Sequence, residues 1–594
     1  MNKQNPIAFL TEKMWKYSTG GHGKIVIFSA MSLGANLLLL IQPLIVAAIL
    51  NEVQKHDVTR QNLGWLFLII SLLLWSELGF WSLHGPSRVI EMCNAFMTKI
   101  HYKMYLLAGI FNLPLEWHAN HHTGDTYDKQ NKGTEALLDY SSGFFVIVSS
   151  GVRLVGSLAF LFYFDLVSGL VALASLVIAF AIMGVIDKTL VGQYEKLNKA
   201  DNLISEKIHD AINNIITVIV LRVDSQFLKS IHKKMLEPLE LFRKSRKLGE
   251  FKWFVASTFA RLTVIVVVGC YLVKVAFGGA HTTVGTVYAL IGYSQNFAEL
   301  FYYFAEIYGQ TLIRKASVTN SEELARQFVK GKMTVELNGK SHWQELKIEN
   351  LSFSYDGGED PEMHLENISL AVKRGERIAL VGESGSGKTT LLKLFRNLYE
   401  PNSGAVYLDG KILPEGIGEI SAGITLIPQD PEIFSTSILE NITMGIDHEF
   451  KQVEKFAEIA QFHEVAERLP RKYESLIVEK GVNLSGGEKQ RLALARGLLA
   501  CQDKTIVLLD EPTSSIDLKN EWVIFQNIFR EFEGKTIIST VHRLHLLPLF
   551  DSIYLFDDGR VIASGTFNQM MASNDVFREM WLKYQTINPN ITPV

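Results

Sequence analysis

Six long stretches of mostly apolar residues lie in the first half of the chain. They cover residues 25–50, 63–83, 143–164, 166–186, 253–277 and 284–308. A helix needs roughly 20 apolar residues to cross about 30 Å of hydrocarbon, so each stretch is long enough to span a membrane. Buried helices of a large soluble protein are the alternative, but the number and length of the stretches disfavour it. The pattern predicts an α-helical six-span transmembrane domain over residues 1–310.

The segments between these spans differ in length and in charge. The segments after the first, third and fifth spans are short and hold few Lys or Arg residues, whereas residues 187–252 hold many. Because positive loops tend to stay in the cytoplasm, we expect both termini there. The long segments, residues 84–142 and 187–252, keep a helical period, which predicts helices reaching roughly 40 Å beyond the membrane. Short turns near residues 113–125 and 217–224 are expected at their tips.

The pattern changes in the second half of the chain. A charged helical linker is predicted over residues 311–342, and short strands, glycine turns and amphipathic helices then predict an α/β domain over residues 343–585, with a tail at 586–594. A mean hydropathy of +0.14 beside 20% charged residues fits one apolar half and one ordinary globular half. A net charge of −4 gives no indication of a nucleic-acid partner. Residues 1–24 lack the ordered pattern of a cleaved signal peptide.

A glycine-rich loop lies between a strand-like and a helix-like stretch of the α/β domain. It matches the phosphate-loop pattern, in which glycines let backbone N–H groups point at nucleotide phosphates. Lys388 supplies positive charge and the Thr389 hydroxyl can bind Mg²⁺. A chance Gly/Ser-rich turn is the alternative, and the strand–loop–helix context disfavours it. The predicted nucleotide-binding residues of this loop are Gly382, Glu383, Ser384, Gly385, Ser386, Gly387, Lys388, Thr389 and Thr390.

Two carboxylates follow a second apolar stretch. Residues 505–509 read Thr-Ile-Val-Leu-Leu, and Asp510 and Glu511 come directly after them. Phosphoryl transfer needs a metal that neutralises phosphate charge and a group that orients the attacking water. We therefore expect Asp510 to hold Mg²⁺ through water and Glu511 to polarise the attacking water. A solvated acidic turn is the alternative, and the matching phosphate loop upstream disfavours it.

A second anion-binding helix start lies between these two motifs. Its Ser-Gly-Gly sequence precedes a helix, where backbone N–H groups and the helix dipole favour negative charge. The motif resembles the signature of ATP-binding cassette (ABC) transporters, and this resemblance implies that it contacts ATP. The residues of the motif are Leu484, Ser485, Gly486, Gly487 and Glu488.

The resemblance to ABC cassettes extends to further positions and implies a role for each. Tyr355 matches the aromatic residue that stacks on adenine, and Gln429 matches the glutamine that contacts Mg²⁺. His542 matches the switch histidine that senses the γ-phosphate, Glu479 the acidic residue before the signature, and residues 514–517 the D-loop. The implied catalytic residues are Glu511, His542 and Gln429, and the implied Mg²⁺ ligands are Thr389, Gln429 and Asp510.

The order of the domains is similar to half-size ABC exporters of the type IV fold, with six spans before one α/β P-loop ATPase domain of the ABC type. Residues 113–115 followed by 123–125 resemble the first coupling helix of that family. In ABC cassettes ATP lies between the phosphate loop of one subunit and the signature of another, so a second half-transporter is implied. Because Glu511 is retained, we expect a homodimer with two active sites.

Ionisable and aromatic residues inside the predicted spans are candidates for substrate binding, since such charges usually face a bundle interior or a cavity. We expect an amphipathic substrate whose cationic group is favoured by the two glutamates of the last span. Internal salt bridges and ordinary aromatic packing are the alternative. The candidates are Glu299, Glu306, Tyr293, Phe297, Arg153 and Arg261.

The function expected from the sequence is ATP-driven export of a lipid-like, drug or peptide substrate by alternating access, in a bacterial inner membrane with the nucleotide-binding domain in the cytoplasm. ATP and Mg²⁺ are the expected cofactors. An importer of a metal chelate on the same fold and an ATP-gated regulator that does not pump are the alternatives. A soluble ABC ATPase of nucleic-acid maintenance is disfavoured by the six predicted spans.

Overall fold

The computed structural model describes residues 5–121, 123–278, 282–328, 343–355, 364–430, 432–477 and 484–587. They divide into two compact units, a helical unit that ends before residue 330 and an α/β unit that follows it and also includes residues 114–116. The prediction of a helical transmembrane domain joined to an α/β domain is therefore confirmed. Residues 329–342 of the predicted linker and residues 588–594 of the predicted tail lie outside the described residues.

The helical unit consists of long helices joined by short turns. Its helices are α1 (Pro6–Tyr17), α2 (His22–Leu40), α3 (Gln42–His56), α4 (Leu63–Phe111), α5 (Leu115–Asn120), α6 (Thr123–Ser142), α7 (Phe144–Phe164), α8 (Leu166–Asn213), α9 (Ile215–Val220), α10 (Asp224–Leu236), α11 (Leu239–Gly278) and α12 (Val284–Arg326).

The first predicted span is two helices rather than one. α2 ends at Leu40 and α3 begins at Gln42, with Pro43 in the first turn of α3. Proline has no backbone N–H and its ring clashes with the preceding turn, so a continuous helix cannot pass through this position unchanged. The Leu44 N–H then donates to the Ile41 carbonyl, which leaves the Leu40 carbonyl without its usual helical partner.

Five helical segments of the described residues are long and apolar enough to cross a membrane. They are His22–His56, Leu63–Phe111, Thr123–Phe164, Leu166–Ile212 and Asp224–Gly278. The sixth predicted span lies in α12, which is one continuous helix but does not belong to these five. Polar residues 294–296 and Glu299 interrupt its apolar sequence and lower its hydropathy. That α12 crosses the membrane stays a prediction.

Several of the long helices extend well beyond the predicted spans. α4 has 49 residues and α8 has 48. The short helices α5 and α9, with six residues each, lie where the sequence predicts turns at the tips of the long segments.

The α/β unit contains ten strands among the described residues. These are β1 (Glu345–Phe353), β2 (Leu365–Lys373), β3 (Arg377–Gly382), β4 (Ser403–Leu408), β5 (Lys411–Ile412), β6 (Ile424–Ile427), β7 (Ile506–Leu509), β8 (Thr536–Thr540), β9 (Ser552–Asp557) and β10 (Arg560–Gly565). The helices are α13 (Lys388–Phe395), α14 (Ile438–Thr443), α15 (Phe450–Ile459), α16 (His463–Glu467), α17 (Gly486–Ala500), α18 (Leu518–Glu531), α19 (Phe567–Ser573) and α20 (Asp575–Ile587).

A six-stranded sheet positions the chemistry of the α/β unit. Its strand order is β10-β9-β3-β8-β7-β6, and the pairs β3–β8, β7–β8, β3–β9 and β6–β7 are parallel. All four residues of β7 are buried, as expected for a strand covered on both faces. Leu380 pairs with Thr540 and Leu509 with Ser539, so the ends of β3, β7 and β8 meet at one edge. A second, antiparallel sheet has the order β2-β1-β4-β5.

A buried ion pair joins α8 to α11 in the helical unit. Lys252 Nζ lies 2.5 Å from Asp187 Oδ1, and the two side chains are 7% and 6% exposed. Removing one partner of a buried pair leaves an uncompensated charge, which typically costs about 3–5 kcal/mol.

We therefore expect Lys252→Met to lower the thermal unfolding midpoint of the purified protein by several degrees, and Asp187→Leu combined with Lys252→Met to recover most of the loss. Arg243→Met is the control, because it breaks an exposed pair with Glu240 and such pairs contribute only about 0–1 kcal/mol. Equal losses for Lys252→Met and Arg243→Met would contradict a stabilising role for the buried pair.

Candidate nucleotide-binding site

The predicted phosphate loop connects β3 to α13 and depends on glycine at two places. Gly382 has φ of 154° and Gly387 has φ of 96°. A Cβ at Gly382 would lie 2.3 Å from the Phe556 carbonyl oxygen, and one at Gly387 would lie 2.5 Å from Leu365 Cδ2. Both the backbone conformation and the available space therefore require glycine. Gly387 is also the N-cap of α13, so the start of this helix faces the loop.

Lys388 is buried inside the loop that carries it. Its Nζ donates to the carbonyl oxygens of Gly382, at 2.9 Å, and Glu383, at 2.7 Å, and to Ser386 Oγ, at 3.2 Å. Burial lowers the pKa of the ammonium group, while the negative charges of Glu511 and Asp510 act in the opposite direction. The three acceptors hold the nitrogen of Lys388 at the centre of the loop.

Asp510 links the start of α13, which follows the phosphate loop, to the end of β8 through two hydrogen bonds. Its Oδ1 accepts hydrogen bonds from Thr389 Oγ1, at 2.9 Å, and from Thr540 Oγ1, at 3.0 Å, and the residue is only 4% exposed. The structure therefore brings together two of the three predicted Mg²⁺ ligands, Thr389 and Asp510.

The chemistry of this donor set fits Mg²⁺, which prefers oxygen ligands and usually needs few of them from the protein. The donors that the structure brings together are the Thr389 hydroxyl and the Asp510 carboxylate. The resemblance to ABC cassettes adds the amide oxygen of Gln429. Among the described residues there is no group of three or more His, Cys, Asp or Glu side chains that could hold a metal ion. Two oxygen donors would leave the remaining positions of a Mg²⁺ ion to water or to nucleotide phosphates.

Glu511 contacts the other two predicted catalytic residues, Gln429 and His542. Its Oε2 accepts a hydrogen bond from Gln429 Nε2 at 2.9 Å, and its Oε1 lies 2.6 Å from His542 Nε2. The Glu511 side chain is 16% exposed, so it reaches solvent at this edge. Its backbone φ of 45° is unusual for a non-glycine residue. The structure therefore brings Glu511, His542 and Gln429 together. Their catalytic roles stay a prediction.

Two further residues, Thr540 and Gln490, hold the backbone of Glu511 in place and were not predicted from the sequence. Thr540 Oγ1 accepts a hydrogen bond from the Glu511 N–H at 2.7 Å, in addition to its bond to Asp510. Gln490 Nε2 donates to the Glu511 carbonyl oxygen at 3.1 Å and to Ser514 Oγ at 2.9 Å. Two features of the sequence could have indicated them. Thr540 ends an apolar, strand-like stretch two residues before His542, and Gln490 lies in the helix that begins with the signature motif.

The signature residues form the capped start of α17. Ser485 Oγ accepts from the Glu488 N–H at 3.3 Å, and Glu488 Oε2 accepts from the Ser485 N–H at 2.9 Å. This reciprocal pair is a capping box, and the bond from Ser485 lowers the pKa of Glu488. A Cβ at Gly487 would lie 2.9 Å from the Ser515 carbonyl oxygen, so the predicted D-loop passes close to the helix start.

The motif also contains Leu484, which is buried, and Gly486, whose Cβ position is open. Among the described residues, the side-chain bonds of the motif join its own members and Arg468, and none joins it to the phosphate loop. Glu479, the expected acidic residue before the motif, lies outside the described residues.

Tyr355 lies beside the phosphate loop. Its hydroxyl donates to Thr390 Oγ1 at 3.1 Å, and its ring meets those of Phe353 and Tyr399 edge-on, at 4.8 Å and 5.1 Å between centroids. Edge-on contacts of this kind are a favourable arrangement of aromatic rings. A role in stacking on adenine stays a prediction.

The candidate substrate residues do not form one site. Tyr293 and Phe297 are fully buried among helices, so they are not walls of an open cavity. The Tyr293 hydroxyl donates to the Leu40 carbonyl at 2.7 Å, and its ring stacks on Phe160 at 4.6 Å. Tyr293 therefore satisfies the carbonyl that the break between α2 and α3 leaves without a helical partner.

The charged candidates lie elsewhere in the helical unit. Glu299, Glu306 and Arg261 are exposed, whereas Arg153 is partly buried and lines a cavity of about 330 Å³.

Two family models match the chain. The model described as ABC transporter transmembrane region matches residues 25–297, and the model described as ABC transporter matches residues 365–514. A solved structure, described as a bacterial Atm1-family ABC exporter with ATP bound, covers 95% of this chain and 99% of its own, with a TM-score of 0.77 and 21% identity. At that identity the likeness shows the fold.

Several relatives share parts of the sequence. The glutathione/L-cysteine transport system ATP-binding/permease protein CydD of Bacillus subtilis is 29% identical over 65% of this chain and 66% of its own length. The ATP-dependent lipid A-core flippase of Chromohalobacter salexigens is 38% identical over 39% of this chain and 40% of its own. The mitochondrial iron-sulfur clusters transporter ATM1 of Candida glabrata is 35% identical over 40% of this chain and 33% of its own.

The chain therefore spans less than two thirds of the length of these relatives. The two models match the helical unit and the α/β unit in the order that the structure has them, and the site contains the phosphate loop, the paired acids and the signature motif in one fold. The chain belongs to the ATP-binding cassette transporter family.

Proposed function

We propose that the protein hydrolyses ATP and uses the reaction to export an amphipathic substrate across a membrane. The observation that carries this proposal is the arrangement around Glu511, whose carboxylate lies within hydrogen-bond distance of both Gln429 and His542. A general base must be within reach of the water it orients, and a partly exposed carboxylate fixed on both oxygens meets that condition.

Each nucleotide group has a matching feature in the site. The N–H groups of the phosphate loop and the Lys388 ammonium suit the β- and γ-phosphates, and the Tyr355 ring suits the base. Thr389, Asp510 and Gln429 are the residues that would hold Mg²⁺, and bound Mg²⁺ neutralises phosphate charge.

Glu511 and its neighbours then orient the water that attacks the γ-phosphate. Glu511 orients water toward the γ-phosphate and accepts its proton. His542 and Gln429 hold the two carboxylate oxygens in place, while Thr540 fixes the backbone from which the carboxylate extends. Preorganisation of this kind lowers the barrier because the groups need not rearrange during the reaction.

The signature motif carries no bond to the phosphate loop within the described chain, which fits a site completed by a second subunit. We propose a homodimer with two active sites, in a bacterial inner membrane with the α/β units in the cytoplasm. The positive charge of residues 187–252 supports that orientation.

The names of the relatives mention different compounds, namely glutathione and L-cysteine, lipid A-core, and iron-sulfur clusters. These compounds share little except a polar or charged group, so the names give no single cargo for this chain. They supply a first panel of compounds for assays of transport into inside-out vesicles, where ATP-dependent accumulation would support export. Accumulation in right-side-out vesicles alone would contradict export and favour import.

Glu511→Gln is expected to lower the ATPase rate at least 100-fold and to leave ATP binding intact, because removal of a general base typically costs about 10²–10⁴ in rate. The measurements are phosphate release and nucleotide binding by the purified full-length protein. Glu531→Gln, in an exposed pair with Lys455, is the control and should keep the wild-type rate. A Glu511→Gln variant with near-wild-type hydrolysis would contradict the assigned base.

Thr540→Ala is expected to slow ATP hydrolysis about tenfold, because it removes the hydroxyl that bonds to both Asp510 and the Glu511 N–H; one such bond is worth about 1 kcal/mol or more. Thr540→Ser keeps the hydroxyl and should retain most of the rate. If both variants lose the same activity, packing of the Thr540 methyl group, rather than its hydroxyl, would account for the effect.

A further inference from the structure

A polar cavity of about 330 Å³ opens on the surface of the helical unit at the break between α2 and α3, and its lining residues Tyr288 and Gln295 are exposed. α4, α7 and α12 supply its other walls. Its polar lining residues are Gln42, Arg153, Tyr288, Gln295 and Asn296. Apolar residues such as Leu73 complete the wall. The volume is at the small end of the range for ligand pockets, about 300–1,000 Å³, so it fits a small head group rather than a whole lipid.

Arg153 is the charged residue of this cavity, and its charge is not balanced by a neighbouring acid. Its Nε donates to Asn36 Oδ1 at 3.4 Å, and it forms no ion pair within the part of the chain that the structure describes. A guanidinium group has five N–H donors, so most of its capacity is available to a ligand. A charge within a membrane span costs about 2.5–3.5 kcal/mol at the helix centre, which favours a site where an anion can offset it.

The acidic residues of the neighbouring helices do not take that role. Glu299 of α12 is exposed and does not line the cavity. Glu77 of α4 is also exposed, and its Oε1 accepts a hydrogen bond from Trp81 Nε1 at 2.9 Å. Glu306 lies further along α12 and is exposed as well. The positive charge of Arg153 therefore dominates the cavity.

We propose that this cavity binds the anionic head group of the transported amphipath, with Arg153 as the residue that selects a carboxylate or phosphate over neutral and cationic groups. A planar guanidinium binds either oxyanion through two parallel N–H donors. The amide groups of Gln295 and Asn296 line the same cavity and would supply further hydrogen bonds to a bound oxyanion. Gln42 also lines it, although its Nε2 already donates to Ser76 Oγ at 3.3 Å. This selection is opposite in sign to the cationic preference that Glu299 and Glu306 suggest from the sequence.

The inference rests on the proposed transport function, but it can be tested by binding alone. The full-length protein in lipid nanodiscs is assayed by equilibrium dialysis against radiolabelled N-decanoylglycine, its neutral analogue N-decanoylglycinamide, and decyl phosphate, with protein-free nanodiscs subtracted. The two decanoyl compounds differ by a carboxylate and an amide. We expect the wild-type protein to bind N-decanoylglycine, decyl phosphate or both at least tenfold more tightly than the amide. Which of the two anions binds distinguishes a carboxylate head group from a phosphate one.

Arg153→Gln should abolish this preference, and Arg153→Lys should keep part of it, because lysine retains the charge but not the two parallel donors. Arg243→Gln is the control, since it removes the same charge from an exposed position outside the cavity. ATP binding by each variant reports folding. If Arg153→Gln does not fold, the wild-type preference together with Arg153→Lys decides the question.

Equal binding of the acids and the amide by the wild-type protein, no binding of any probe, or an unchanged preference in Arg153→Gln would overturn the proposal. Failure of the transport function is distinguishable, because it would show as absence of ATP-dependent accumulation in vesicles whatever the result of the dialysis.

Discussion

The fixed carboxylate of Glu511 is the constraint on which the α/β unit depends. A residue other than glycine with φ of 45° typically costs about 1–3 kcal/mol, so it persists only where its surroundings determine it. Here the N–H of Glu511 is held by Thr540, its carbonyl by Gln490 and its carboxylate by Gln429 and His542. These partners come from three separate segments, and the parallel pairing of β6, β7 and β8 brings the segments of Gln429 and of Thr540 and His542 to the edge where Glu511 lies.

The same register explains what could be predicted from the sequence. The phosphate loop is a local motif, so the spacing of its glycines and Lys388 was sufficient to identify it. Thr540 lies 30 residues after Asp510, and only the pairing of Leu509 with Ser539 and of Leu380 with Thr540 places its hydroxyl between the two acids. Strand pairing of this kind is not encoded in a short motif. The phosphate loop could therefore be predicted from the sequence, whereas the contact of Thr540 with Asp510 and Glu511 could not.

The helical unit shows a different limit of sequence interpretation. Aromatic residues at helical spacing are typical of both a cavity wall and a packed core, and sequence cannot distinguish them. Tyr293 and Phe297 belong to the core, and the buried hydroxyl of Tyr293 has a specific reason to be there, because Pro43 breaks the helix and the Leu40 carbonyl needs a donor. An intramembrane polar group satisfied by backbone needs no ligand to explain it. Arg153 differs, because its Nε makes only a long hydrogen bond to Asn36 Oδ1 and its side chain lines a cavity.

The length of α8 has a mechanical consequence. With 48 residues at 1.5 Å each, it is about 72 Å long, and hydrocarbon accounts for only about 30 Å of that. A rod pivoting at one end by about 5° moves its far end by about 6 Å, roughly the pitch of one helical turn. α11 packs beside α8, and the Asp187–Lys252 pair joins them part of the way along. The two helices together therefore resist bending, and small rotations become large displacements at their tips.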